Sequence, residues 1–129
     1  MKIVRILLVD DEEEVLRLLQ RRLTRRGYAV TTATDGSQAL ASLQHGAFDV
    51  AILDFMMPGM NGLELAGQCR ARDPGLRILM LTGSPVIGEI EAEGYLCLRK
   101  PLENLEELDQ AIERLLAPES EGHPEGRER

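Results

Sequence analysis

Short apolar runs rich in β-branched residues alternate along this chain with longer stretches whose apolar residues recur every three or four positions. That alternation constrains the fold more than any other feature. The first run, Ile3-Val4-Arg5-Ile6-Leu7-Leu8-Val9, lacks the polar alternation of a half-exposed strand and suits a strand covered on both faces. Over residues 12–26, Val15, Leu16, Leu19 and Leu23 define one helix face. Acids fill its first turn, arginines its last, and Gly27 stops it. Residues 28–33 predict a second strand. Asp35 can cap a helix that turns Ala39, Leu40 and Leu43 inward before Gly46 ends it. Residues 48–53 predict a third strand, followed by the Pro- and Gly-dense loop Met56-Met57-Pro58-Gly59-Met60-Asn61-Gly62. A helix over 63–71 comes next, closed by Asp73-Pro74-Gly75. Residues 77–81 and 95–99 predict strands four and five, and Leu105, Leu108, Ile112 and Leu115 mark an amphipathic last helix. Between those strands, residues 83–94 leave room for only about two helical turns.

Strict alternation of this kind implies right-handed crossovers and helices on both faces of a parallel sheet. The expected fold is α/β: a doubly wound five-stranded parallel sheet in the flavodoxin-like order 2-1-3-4-5, its fourth helix shortened. The 129 residues suit one core, assigned to residues 1–117. From Pro118 onward no large apolar residue occurs, so residues 118–129 are expected to be a disordered tail or a linker stub. No apolar stretch approaches the roughly 20 residues of a membrane span, and no signal peptide follows Met1, so a cytoplasmic protein without a membrane partner is expected. Cys69 and Cys97 sit in different predicted elements and form no CxxC pair, which suggests reduced core thiols rather than a disulfide or a zinc site. A net charge of −7 argues against binding nucleic acid phosphates. The cluster Arg21, Arg22, Arg25 and Arg26 reads as a solvated helix end that complements the dipole.

Ligands of an open parallel sheet bind beyond the carboxyl ends of its strands. There, strand one ends in Asp10-Asp11, strand three in Asp54, strand four in Thr82 and strand five in Lys100-Pro101. Each has an ordinary explanation alone: a helix cap, a turn former, a helix start, a solvated exit. Their coincidence at matching strand ends points to one shared site. Three neighbouring carboxylates would repel or take up protons unless a cation sat among them. An incomplete set of hard oxygen ligands without His or Cys suits Mg2+, which is often shared with a phosphate. Lys100, one of only two lysines against thirteen arginines, supplies a point charge for phosphate oxygens, and Thr82 a hydroxyl donor. With Asp54 as a carboxylate nucleophile, this is equipment for phosphoryl transfer through an acyl phosphate.

The segments ILLVDDE, DVAILDFMMPGMNGLEL, ILMLTG and LRKP, in that order over roughly residues 3–117, resemble the receiver (response regulatory) domain of bacterial two-component response regulators. The resemblance implies that Asp10, Asp11 and Asp54 hold Mg2+ with the backbone carbonyl of Met56. It implies that Asp54 is phosphorylated from a phosphohistidine on a sensor histidine kinase or phosphotransfer protein, and that a downstream effector protein or domain reads the result. Thr82 would turn toward the phosphoryl group, Lys100 would pair with it, and Lys100-Pro101 would be cis. Glu14, Val15, Leu18 and Pro101 would belong to the kinase-docking patch. Cys97 stands where the family carries an aromatic switch residue, with Tyr95 two positions further back, so the switch is either absent or shifted in register. Met56 and Ser84 occupy positions that tune self-dephosphorylation; an apolar Met56 is expected to position the attacking water poorly and prolong the phosphorylated state. The competing readings are a pseudo-receiver interaction module, and an aspartate-nucleophile phosphohydrolase built on Asp10-Asp11-Glu12. A flavodoxin-like cofactor domain is disfavoured, because acids follow strand one where a phosphate-cradling loop would be needed.

Overall fold

A computed structural model describes residues 2–83 and 85–118. The expectations for Ser84 and for the tail beyond Pro118 therefore lie outside the described residues. In chain order the elements are β1 (Arg5–Val9), α1 (Glu13–Arg25), β2 (Ala29–Ala33), α2 (Gly36–His45), β3 (Val50–Asp54), α3 (Gly62–Arg72), β4 (Arg77–Thr82), α4 (Ile87–Ala92), β5 (Leu96–Arg99) and α5 (Leu105–Leu116). All five strands pair in parallel in the order β2-β1-β3-β4-β5. This is the doubly wound architecture the periodicity predicts, and α4 spans only six residues.

Successive strand residues point to opposite faces, so each central strand feeds two cores. Leu7, Val9, Ala51, Leu53, Ile78 and Met80 pack with Leu65, Ala66 and Cys69 of α3 and Ile90 of α4. Ile6, Leu8, Val50, Ile52, Leu79 and Leu81 pack with Leu16, Leu19 and Leu23 of α1 and Leu108, Ala111 and Ile112 of α5. Each fully buried Leu, Ile, Val or Met among them contributes about 1.5–3 kcal/mol of transfer free energy. Cys69 lies in the first core and Cys97 is half-buried beside it; both are free thiols, pushed up to about 11 chiefly by burial.

Every strand differs from expectation at one end or both: β1 begins at Arg5 rather than Ile3, and β5 at Leu96 rather than Tyr95. Tyr28 and Phe48 stand outside β2 and β3, each packed into a core by contact rather than by the strand ladder. Asp54 and Thr82 instead complete β3 and β4. The arginine cluster also differs from a purely solvated helix end. Arg22 Nη2 meets the buried Asp109 Oδ2 of α5 at 2.5 Å, Arg26 Nη1 reaches the same oxygen at 3.4 Å, and Arg26 Nη2 pairs with Glu113 at 3.0 Å. These contacts tie the C-terminal end of α1 to the middle of α5. Among the described residues no helix is long and apolar enough to cross a membrane.

Candidate functional site

β1 and β3 are neighbours in the sheet, so their carboxyl ends deliver Asp10, Asp11 and Asp54 to one place. Carboxylate oxygens of the three lie within 4.8 Å of one another. Asp10 and Asp54 are 1% and 3% exposed, whereas Asp11 is exposed. β4 adds the fully buried Thr82. β5 hands the chain to Lys100, whose backbone N–H donates to the Thr82 carbonyl at 2.9 Å, and the Lys100-Pro101 bond is cis. Beyond β5, Lys100 Nζ turns back over the acids. It lies 2.8 Å from Asp10 Oδ2, 3.5 Å from Asp54 Oδ1 and 3.5 Å from Glu12 Oε1.

Asp10 is doubly engaged, since its other oxygen accepts the Glu12 N–H at 2.9 Å at the entry to α1. The helix-start role and the site role thus coexist in one side chain. One ammonium cannot neutralise two buried carboxylates. Burial, then the Asp10 charge, push the Asp54 carboxyl up to about 7 against the opposing pull of Lys100 and of the Met56 backbone N–H. Burial lowers the Lys100 ammonium, but the hydrogen bond and charge of Asp10, with Asp54 and Glu12, outweigh it and leave Lys100 raised. Negative charge left in excess, carried by hard oxygens with no His or Cys among the clustered residues, is the donor set a Mg2+ ion fits. A second cation there would relieve the repulsion that Lys100 leaves.

Other expected residues are placed as follows. The Met56 side chain is 60% exposed at the rim, two residues after Asp54. Cys97 is in register with Met80, on the α4 face of the sheet, its Sγ 3.9 Å from the Leu98 carbonyl. Tyr95 precedes β5 at the far end of the sheet, under the Arg70 guanidinium at 4.7 Å. Val15, Leu18 and Pro101 line one groove of about 450 Å³ with Leu102 and Leu105, and Lys100 stands at its margin. Glu14 is exposed and does not line that groove. Leu18 is 53% exposed.

Sequence reasoning missed two participants. Glu12 reaches Lys100, which its position directly after Asp10-Asp11 signals. Gly62 starts α3 where a Cβ would stand 2.7 Å from the Phe55 Cα and 2.9 Å from the Asp54 carbonyl oxygen. Asn61 and Glu64 form a reciprocal capping box there, a pattern visible in Asn61-x-x-Glu64.

The chain resembles known proteins in both sequence and fold. The family model described as response regulator receiver domain matches residues 6–113. Response regulator MprA of Mycobacterium sp. (strain KMS) is 37% identical over 122 residues, covering 90% of this chain and 53% of that protein. The chain spans about a third to a half of the length of the curated relatives it matches. Among solved structures, response regulator protein TrrA of Thermotoga maritima in complex with Mg(2+)-BeF matches with a TM-score of 0.80 and 34% identity, over 88% of this chain and 100% of that one. The complex of histidine kinase ThkA with TrrA matches with a TM-score of 0.80 and 35% identity, over 89% and 100%.

Proposed function

Because this chain belongs to the response regulator receiver domain family of two-component systems, we propose that Asp54 accepts a phosphoryl group from a phosphohistidine of a sensor histidine kinase or phosphotransfer protein. Asp10, Asp11, Asp54 and the backbone carbonyl of Met56 are the residues that would hold Mg2+. When bound, that ion supplies positive charge against the phosphoryl oxygens. The observation that carries this reading is Lys100 Nζ, held within 3.5 Å of both buried acids by the turn after β5. A carboxylate oxygen of Asp54 forms the new P–O bond as the P–N bond to histidine breaks, and the imidazole leaves. Lys100 stays close enough to Asp54 to pair with the transferred group, and the Thr82 hydroxyl offers a donor from the adjacent strand end. The added charge then biases Thr82 and the β4–β5 face, where Cys97 replaces an aromatic switch residue, so residues 1–117 act as the receiver unit. The groove of Val15, Leu18 and Pro101 opens beside Lys100, which suits it to present the donor histidine to Asp54. A cytoplasmic setting and an effector protein or domain that reads this face complete the proposal.

Incubation with Mg2+ and acetyl phosphate tests it by intact mass. Wild type is expected to gain one phosphoryl group, lost on removing Mg2+ and absent in Asp54→Ala. Equal gain in Asp54→Ala would refute the assignment. Met56→Asn is expected to shorten the lifetime of the phosphorylated state by about tenfold, because an amide at the rim can orient water toward Asp54 where a thioether cannot. An unchanged decay rate would remove Met56 from that role.

A further inference from the structure

At the amino ends of β4 and β5, opposite Asp54, lies a groove of about 1420 Å³. Arg70 from α3, Arg77 from β4 and Arg114 from α5 converge on it, and among the described residues Glu91 is the one acid in its lining. Among the described residues none of these three arginines forms a salt bridge, in contrast to Arg17, Arg22 and Arg26 of α1, which pair with Glu13, Asp109 and Glu113. Arg77 lies in the field of Asp49, but that carboxylate already accepts the Arg5 backbone N–H and the Lys2 ammonium, each at 2.9 Å. Three guanidinium groups in one groove of a chain with net charge −7 are a local reversal of sign. The Arg70 side chain is also restrained, stacked on Tyr95 at 4.7 Å, which lowers the ordering cost of a later bidentate ion pair. Apolar walls from Pro74, Leu96 and Leu115 separate the charges.

We propose that this groove binds an extended acidic peptide segment of a partner protein, its carboxylates on Arg70, Arg77 and Arg114 and an apolar side chain between them. The volume exceeds the roughly 300–1,000 Å³ of a small-molecule pocket. Nucleic acid fits less well: the overall charge repels phosphates, and the Tyr95 ring, which could stack a base, is covered by Arg70. The site gives the protein an interaction surface separate from the phosphoacceptor end.

The test is fluorescence anisotropy of a labelled Glu-Glu-Leu-Glu-Glu-Pro peptide and its Gln counterpart with the full chain. The acidic peptide is expected to bind at least about tenfold tighter than the Gln peptide, and to weaken as salt screens the charges. Arg77→Gln/Arg114→Gln, which leaves the Arg70–Tyr95 stack in place, is expected to lose about tenfold in affinity, while Arg21→Gln/Arg25→Gln is unchanged. Equal binding of both peptides, no binding, or no loss in Arg77→Gln/Arg114→Gln would overturn the proposal. Tighter binding of oligothymidylate would overturn it in favour of nucleic acid. In the full chain, Glu119→Gln/Glu121→Gln/Glu125→Gln is expected to bind the peptide as wild type does; a tenfold gain would mean the groove serves this chain's own acidic segment, and overturns a partner.

Discussion

Gly62→Ala is expected to lose about 1–3 kcal/mol of folding stability and, with it, most phosphoryl acceptance, although residue 62 carries no chemistry. Its added Cβ would stand 2.7 Å from the Phe55 Cα, 2.8 Å from Met80 Sδ and 2.9 Å from the Asp54 carbonyl oxygen. Two of those three neighbours are backbone and cannot rotate aside. Gly62 also donates its N–H to the Phe55 carbonyl at 2.9 Å, and Phe55 donates to Leu81 at 2.9 Å, so the loop over residues 55–62 is pinned to the sheet beside Asp54. Moving it moves Asp54, the proposed acceptor. Chemical denaturation measures the first effect and acetyl phosphate labelling the second. Gly67→Ala, with nothing within 4 Å of its Cβ, is the matched control and is expected to gain slightly from the better helix propensity of Ala. Equal stability of Gly62→Ala and wild type would show that this close approach does not hold the loop.

Asp54→Asn is expected to stabilise the metal-free protein at neutral pH by about 1–3 kcal/mol while abolishing phosphorylation. The Asp54 carboxyl is raised from its ordinary value of 3.8 to about 7, chiefly by burial and then by Asp10. The folded state therefore binds that proton more tightly than the unfolded chain. Its contribution to stability is fully present below pH about 4 and lost as pH rises through about 7. An amide of the same shape removes the ionisation penalty, so the gain of Asp54→Asn over wild type grows across that window and vanishes below it. Mg2+ is expected to stabilise wild type more than Asp54→Asn, since only wild type offers all three carboxylates. Thermal unfolding across pH, with and without Mg2+, measures both effects. A pH-independent difference between the proteins would mean that Asp54 is not desolvated as its 3% exposure implies.

Much of this was legible in the amino-acid sequence because the central strands are buried on both faces. Leu7-Leu8-Val9, Ala51-Ile52-Leu53 and Leu79-Met80-Leu81 have no solvent side to blur the period. Once the order of elements is known, parallel pairing alone brings Asp10, Asp54, Thr82 and Lys100 to one edge. Strand limits were less legible, since Tyr28 and Phe48 are apolar through packing rather than pairing. Non-local electrostatics away from the strand tips was not legible. That Arg22 and Arg26 serve Asp109 depends on α1 and α5 sharing one face of the sheet, 87 residues apart in the chain between Arg22 and Asp109. Lys100 resting nearer Asp10 than Asp54 depends on which carboxylate the turn after β5 reaches first. The three arginines near Tyr95 look unrelated along the chain and meet only because the ends of three elements converge.

The most direct measurement is a crystal structure grown with Mg2+ and beryllofluoride. It should contain one cation contacting carboxylates of Asp10, Asp11 and Asp54, with beryllofluoride on an Asp54 oxygen and Lys100 Nζ turned to its fluorides. A cation bound elsewhere, or an Asp54 carboxylate left bare while Lys100 remains on Asp10, would contradict the account.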